Sequence, residues 1–166
     1  MHQSSARQRY RTVFISDTHL GTKGCRADFL VEFLRRIECE RLYLVGDIVD
    51  GWRLRRSWYW DAHHDEAIRL LLRLARNGTE VTYIPGNHDE LFRAWLGHEF
   101  AGIRLAREAV HHAADGKRYL VIHGDEFDGV IRYAKLLAHL GDGAYNAALT
   151  LNRWFNMARR RLGYPY

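Results

Sequence analysis

Four short apolar runs in this chain each stop abruptly at a cluster of metal- or phosphate-seeking residues, and this repeated arrangement constrains the fold more than any other feature. Thr12 to Ser16 runs into Asp17-Thr18-His19, and Arg41 to Val45 runs into Gly46-Asp47. Glu80 to Ile84 runs into Pro85-Gly86-Asn87-His88-Asp89, and Tyr119 to Ile122 into His123-Gly124-Asp125. Short β-branched and apolar runs bounded by Gly, Pro, Asn and Asp read as buried strands. Helical patterns separate the first three. Phe29, Leu30, Phe33, Leu34 and Ile37 recur at helical spacing over Ala27 to Ile37. Ile68, Leu71, Leu72 and Ala75 do the same over Asp65 to Ala75, and Asn77-Gly78 marks the stop. Ile103 to Val110 reads as extended, and Asp115-Gly116 as a hairpin turn. Strand, helix, strand, helix, strand argues for an α/β layer with a partly parallel sheet.

Ligands of open α/β sheets bind beyond the carboxyl ends of the strands. Four strands would therefore deliver carboxylates, imidazoles and an amide to one edge. Each cluster alone is an ordinary turn. Four in order, all at strand ends and all of ligand type, make a metal site. Carboxylates and imidazoles together suit borderline divalent ions such as manganese, iron or zinc. Asp17 and His19 are two residues apart, so both can reach one ion around a tight loop. Asp47 has two oxygens and can bridge two ions. Asn87 offers a neutral oxygen that limits the charge packed around them. Two ions roughly 3.5–4 Å apart can activate water and hold a phosphate in line for displacement. The glycines at 46, 86 and 124 let the backbone turn sharply beside a bound phosphate.

A length of 166 residues predicts one domain with a real core. The net charge of +5 favours anionic partners without choosing among them. Cys25 and Cys39 have no zinc-knuckle spacing and read as reduced thiols. Met1 to Arg11 is polar, with neither a signal peptide nor an anchor, and no apolar run is long enough to span a bilayer. A cytoplasmic location is the expectation, with peripheral contact to the inner membrane left open.

The segments Ser16-Asp17-Thr18-His19-Leu20, Val45-Gly46-Asp47, Gly86-Asn87-His88-Asp89 and His123-Gly124-Asp125 resemble the calcineurin-like metallophosphoesterases over residues 12–128. The resemblance implies an α/β/β/α sandwich of mixed sheets. It implies two divalent ions, with manganese favoured over iron or zinc. Asp17, His19 and Asp47 would hold the first, and Asp47, Asn87 and His123 the second. His88, supported by Asp89, would protonate the leaving group or stabilise the transition state. Within that superfamily the chain is most similar to the UDP-2,3-diacylglucosamine pyrophosphohydrolase group of lipid A synthesis. The likeness rests on Ile15 to Gly21, on Leu44 to Trp52, and on an expected helical insertion after Asp125. It implies a dinuclear hydrolase of a phosphodiester or pyrophosphate bond, acting on a phosphorylated small molecule or lipid nucleotide. General or cyclic-nucleotide phosphodiesterase activity, or a non-catalytic metal- and phosphate-binding module, are the alternatives.

Two departures stand out. Members of that group carry Arg at the position of His88. The late Gly-His-x-His of the family pattern has no counterpart in this sequence, so the chain reads as the N-terminal portion of a longer protein. The expected organisation is a polar segment at 1–11, the core at 12–128, and a helical cap or insertion at 129–166. In that last region Ile131, Ala134, Leu137 and Ala138 follow helical spacing, as do Ala148, Leu151, Phe155 and Ala158. It reads either as an ordinary helical hairpin or as a cap facing acyl chains or an anionic membrane surface. Arg53, Arg55, Arg56 and Trp58, just past Asp47, are candidates for substrate contact, with no specific nucleic-acid role.

Overall fold

The structure is a computed structural model and describes residues 7–125 and 127. The expected helical region at 129–166 lies outside the described residues. The residues up to Gly124 form one compact unit. Its first strand, β1 (Gln8–Ile15), is followed by α1 (Ala27–Arg36), β2 (Ile37–Val45), α2 (Gly51–Arg56), α3 (Ala62–Arg76) and β3 (Glu80–Ile84). A 3-10 helix (Glu90–Trp95) leads to β4 (Glu99–Phe100), β5 (Ile103–Leu105), β6 (Ala109–His112) and β7 (Arg118–Val121).

The main sheet has the order β1-β2-β3-β5-β4. β1, β2, β3 and β5 are parallel, and only the short β4 runs the other way. The parallel pairing follows from the helical crossovers, because parallel neighbours cannot be joined by a tight turn. α1 and α3 pack against each other over this sheet. Leu20, Val31, Leu34, Leu42, Leu44, Ile48, Leu70, Leu71 and Val81 form the core between them. A second, smaller apolar cluster joins Tyr43 and Ile84 of the sheet to Val121 of the β6–β7 hairpin. His111 of the hairpin stands edge-on to the rings of Phe14 and Tyr43. The layers are therefore helices, mainly parallel sheet, then antiparallel hairpin.

Several boundaries differ from the sequence expectations, each for a local reason. β1 starts at Gln8 rather than Thr12, because β2 begins directly after α1 and offers its edge to Gln8, Arg9 and Tyr10. α1 buries Ala27, Val31 and Leu34, while Phe29 and Phe33 face outward. Both sets satisfy helical spacing, and the sheet takes the face with the smaller side chains. α3 starts at Ala62, where the Asp61 carboxylate accepts from the amides of His63 and His64 and the His64 ring accepts from the Asp61 amide. The extended stretch at 103–110 is two strands in two sheets. The Ala106 amide donates to the carbonyl of Tyr83, and the chain then bends away at Arg107.

Leu42 is fully buried, whereas Phe29 is 58% exposed. We expect Leu42→Ala to cost about 2–5 kcal/mol in urea denaturation. Phe29→Ala should cost less than about 1 kcal/mol. Equal losses would mean that the assigned face of α1 is wrong.

Candidate metal centre

The loops that follow β1 and β2 are laced together by their backbones. The amides of Asp17, His19 and Leu20 donate to the carbonyls of Gly46, Asp47 and Ile48 at 3.1, 2.9 and 2.8 Å. The Asp50 amide returns a bond to Leu20 at 2.8 Å. This lacing holds Asp17, His19 and Asp47 in the left-handed region, with φ of 54°, 49° and 54°. Non-glycine residues in that conformation carry strain of order 1–3 kcal/mol each, which persists where surrounding structure imposes it. The consequence is local: all three side chains turn toward one space.

Asp47 lies at the centre of that space and is only 5% exposed. Its Oδ2 is 3.8 Å from His19 Nε2, and its Oδ1 is 3.6 Å from His123 Nε2. The His88 amide donates to Oδ1 at 2.9 Å. Two ligand groups therefore share Asp47. One joins His19, Asp47 and His88, and the other joins Asp17, Asp47 and His123, each with ligand atoms within 4.8 Å of one another. Asp17 is among the second of these groups. Asn87 is half-buried in the turn between Gly86 and His88.

Each imidazole is held from behind. His19 Nδ1 is 3.3 Å from Asp50 Oδ2, and His123 Nδ1 is 3.4 Å from the carbonyl of Val45. With Nδ1 donating, each Nε2 keeps its lone pair toward Asp47, which is the arrangement that metal-binding histidines adopt. Close approach depends on two glycines. A Cβ on Gly46 would run into the His123 ring, and one on Gly86 would meet Asp47 Oδ1 and His123 Nε2. The donors are carboxylate oxygens and imidazole nitrogens, a set that fits borderline divalent cations.

Asp50 is a residue that the sequence reading missed. Its Oδ2 faces both His19 and His88, the latter at 3.1 Å from Nδ1. Its Oδ1 accepts from the Arg53 amide and caps α2. Burial pushes its carboxyl upward, but the Arg53 amide and the two imidazoles outweigh that and hold it below its usual value. The signal was available: an acid immediately before a helical glycine is a capping residue. The His88 ring also lies 4.7 Å from the His19 ring and 4.4 Å from the Trp52 ring.

Asp89 does not support the His88 ring as expected. It is fully buried and accepts from the amides of Gly86 and Ile48 at 2.6 and 2.8 Å, and from the Tyr83 hydroxyl at 2.5 Å. Burial and the Asp89 charge together raise the Tyr83 hydroxyl well above its ordinary value, so it stays a donor. Asp89 ties the loop after β3 to the loop after β2.

A cavity of about 730 Å³ opens beside the ligand groups, with Asp17, His19, Asp50 and His88 on its wall. All four of Arg53, Arg55, Arg56 and Trp58 are exposed, and of these Arg53 lines the cavity. Among the described residues no helix is long and apolar enough to cross a membrane.

The sequence profile of the calcineurin-like phosphoesterases matches residues 10–160, and the chain belongs to that family. It is 33% identical over 132 residues to the UDP-2,3-diacylglucosamine hydrolase of Photorhabdus laumondii, covering 75% of this chain and 53% of that protein. The Azotobacter vinelandii protein of the same name is 33% identical over 122 residues, covering 69% and 47%. The DNA polymerase II small subunit of Methanothermobacter thermautotrophicus is 29% identical over 162 residues, covering 78% and 33%. A solved structure, the Pseudomonas putida nuclease MPE, aligns with 59% of this chain and 48% of its own at 19% identity and a TM-score of 0.36. The chain spans about half the length of the hydrolases it matches.

We expect Asp89→Ala to lower stability by about 3 kcal/mol or more, because it leaves two buried amides and a buried hydroxyl without an acceptor. A loss below about 1 kcal/mol in urea denaturation would show that Asp89 does not hold the two loops together.

Proposed function

We propose that the protein is a dinuclear metal-dependent hydrolase of a phosphodiester or pyrophosphate bond. Its substrate class is a phosphorylated lipid nucleotide of the UDP-2,3-diacylglucosamine type, used in lipid A synthesis. The observation that carries the reading is Asp47, whose two oxygens face two different imidazoles in two ligand groups. The substrate class rests on the relatives named UDP-2,3-diacylglucosamine hydrolase.

Asp17, His19 and Asp47 would hold one ion, and Asp47, Asn87 and His123 the other, with manganese favoured over iron or zinc. Bound there, two ions supply an acidified water and charge neutralisation for the phosphoryl group. The protein's own groups do the rest. Asp50 fixes the His19 ring, so that its Nε2 stays aimed inward. His88, backed by the same carboxylate, can give a proton to the departing oxygen. Arg53 at the cavity wall draws the anionic substrate in. Asp89 keeps the loops in register without touching the substrate. The lipid end of such a substrate places the enzyme at the cytoplasmic surface of the inner membrane, held there peripherally.

The test is metal content and hydrolysis of a phosphoesterase panel by the full chain, with Asp47→Ala as the comparison. We expect the panel to include UDP-2,3-diacylglucosamine and bis-p-nitrophenyl phosphate. Asp47→Ala should lower bound manganese and cut turnover at least about 100-fold. Full activity in the variant would refute the two-metal reading. Hydrolysis of bis-p-nitrophenyl phosphate alone would leave the chemistry standing and move the substrate to a simpler phosphodiester.

A further inference from the structure

The cavity beside the ligand groups is lined by two chemically different sets of side chains. One set is Asp17, His19, Asp50 and His88. The other is three cations, Lys23, Arg26 and Arg53, and no further acid lines the cavity. The three cations are not equivalent. Arg26 is already engaged, with a two-pronged bond to Asp28 at 3.0 and 2.8 Å and its guanidinium 3.7 Å from the centre of the Phe29 ring. That bond holds the Asp28 carboxyl down to about 2. Lys23 and Arg53 have no acidic partner among the described residues.

These two come from different elements, whose backbones are fastened to each other. Lys23 is on the loop after His19, and Arg53 is on α2. Gly21 of that loop has φ of +102° and packs against Leu54 of α2, where an added Cβ would lie 2.7 Å from Cγ. The Asp50 cap and the Asp50–Leu20 backbone bond fasten the start of α2 to the same loop. Lys23 Nζ sits 5.8 Å from the centre of the Tyr59 ring, and the Tyr59 hydroxyl donates to Asp61 at 3.1 Å. Tyr59 is therefore anchored at its far end and forms a platform beneath the ammonium.

We propose that Lys23 and Arg53 form a second anion subsite, which takes an anionic group of the substrate attached beyond the phosphoryl group that reacts. It rests on the hydrolase reading above for which phosphoryl group reacts. Two cations without an acidic partner, lining one cavity, gain from a second negative group, because hydrogen bonds between ionised partners are the strong ones. A ligand with a single phosphoryl group, seated at the ligand groups, leaves them in water. A ligand with two linked phosphoryl groups has a second anionic group to offer them.

The probes are methylenediphosphonate, which cannot be hydrolysed at its bridge, and methylphosphonate. Their binding to the full chain is measured by calorimetry at fixed free manganese. We expect Lys23→Gln and Arg53→Gln each to weaken methylenediphosphonate about tenfold and methylphosphonate less than about twofold. Arg69→Gln, which removes an exposed cation on α3 away from the cavity, should change neither. Equal weakening of both probes would mean general attraction of anions and would overturn the subsite, as would no weakening at all. Metal analysis of the same samples separates the two readings. Selective loss in a protein that binds no manganese would refute the hydrolase and keep the subsite. Manganese bound without selective loss would do the reverse.

Discussion

The centre depends on the backbone bonds that lace the loop after β1 to the loop after β2. They hold Asp17, His19 and Asp47 in a left-handed backbone that none of the three would choose alone. Without that lacing Asp47 could not present one oxygen to His19 and the other to His123. The sheet provides the foundation, since β1 and β2 are paired along nearly their whole length and end side by side. Strain at three candidate ligand positions is offset by a core that closes beneath them, with Leu20 and Ile48 fully buried next to the strained residues. Stability built in the core is in this way spent on the geometry of the site.

A layer of carboxylates stands behind the ligands and divides the work. Asp47 faces the metal space. Asp50 stands behind it and orients two imidazoles while capping α2. Asp89 lies deepest and binds backbone amides of both flanking loops. Three buried acids so close together would repel one another strongly if each were not matched by its own donors or by cations. Backbone amides and the Tyr83 hydroxyl serve Asp89, and imidazoles and the Arg53 amide serve Asp50. Asp47 has one amide, from His88, and two imidazoles at a distance, which leaves it the acid with most to gain from divalent cations.

Much of this was legible in the sequence because strand ends and ligand types are local signals. The parallel sheet followed from strand and helix alternation, and the clustering of Asp17, His19, Asp47, His88 and His123 followed from their places at strand ends. What was hidden needed three dimensions. α1 carries two apolar stripes of equal spacing, so periodicity could not say that Val31 rather than Phe29 would face the sheet. α2 is six residues long, below the length at which a helical period can be read. Asp89 sits beside His88 in sequence, which made it look like that ring's partner. The turn after β3 points the two side chains apart, and the carboxylate that faces the His88 ring is Asp50, 38 residues earlier in the chain.

The central claim is that one carboxylate, Asp47, joins two ions into a single centre. Electron paramagnetic resonance of the full chain titrated with manganese tests it most directly. The account predicts that, at saturation, the spectrum is that of a spin-coupled pair of ions, and that the coupling disappears in Asp47→Ala. A saturated protein showing only the signal of isolated ions would contradict it.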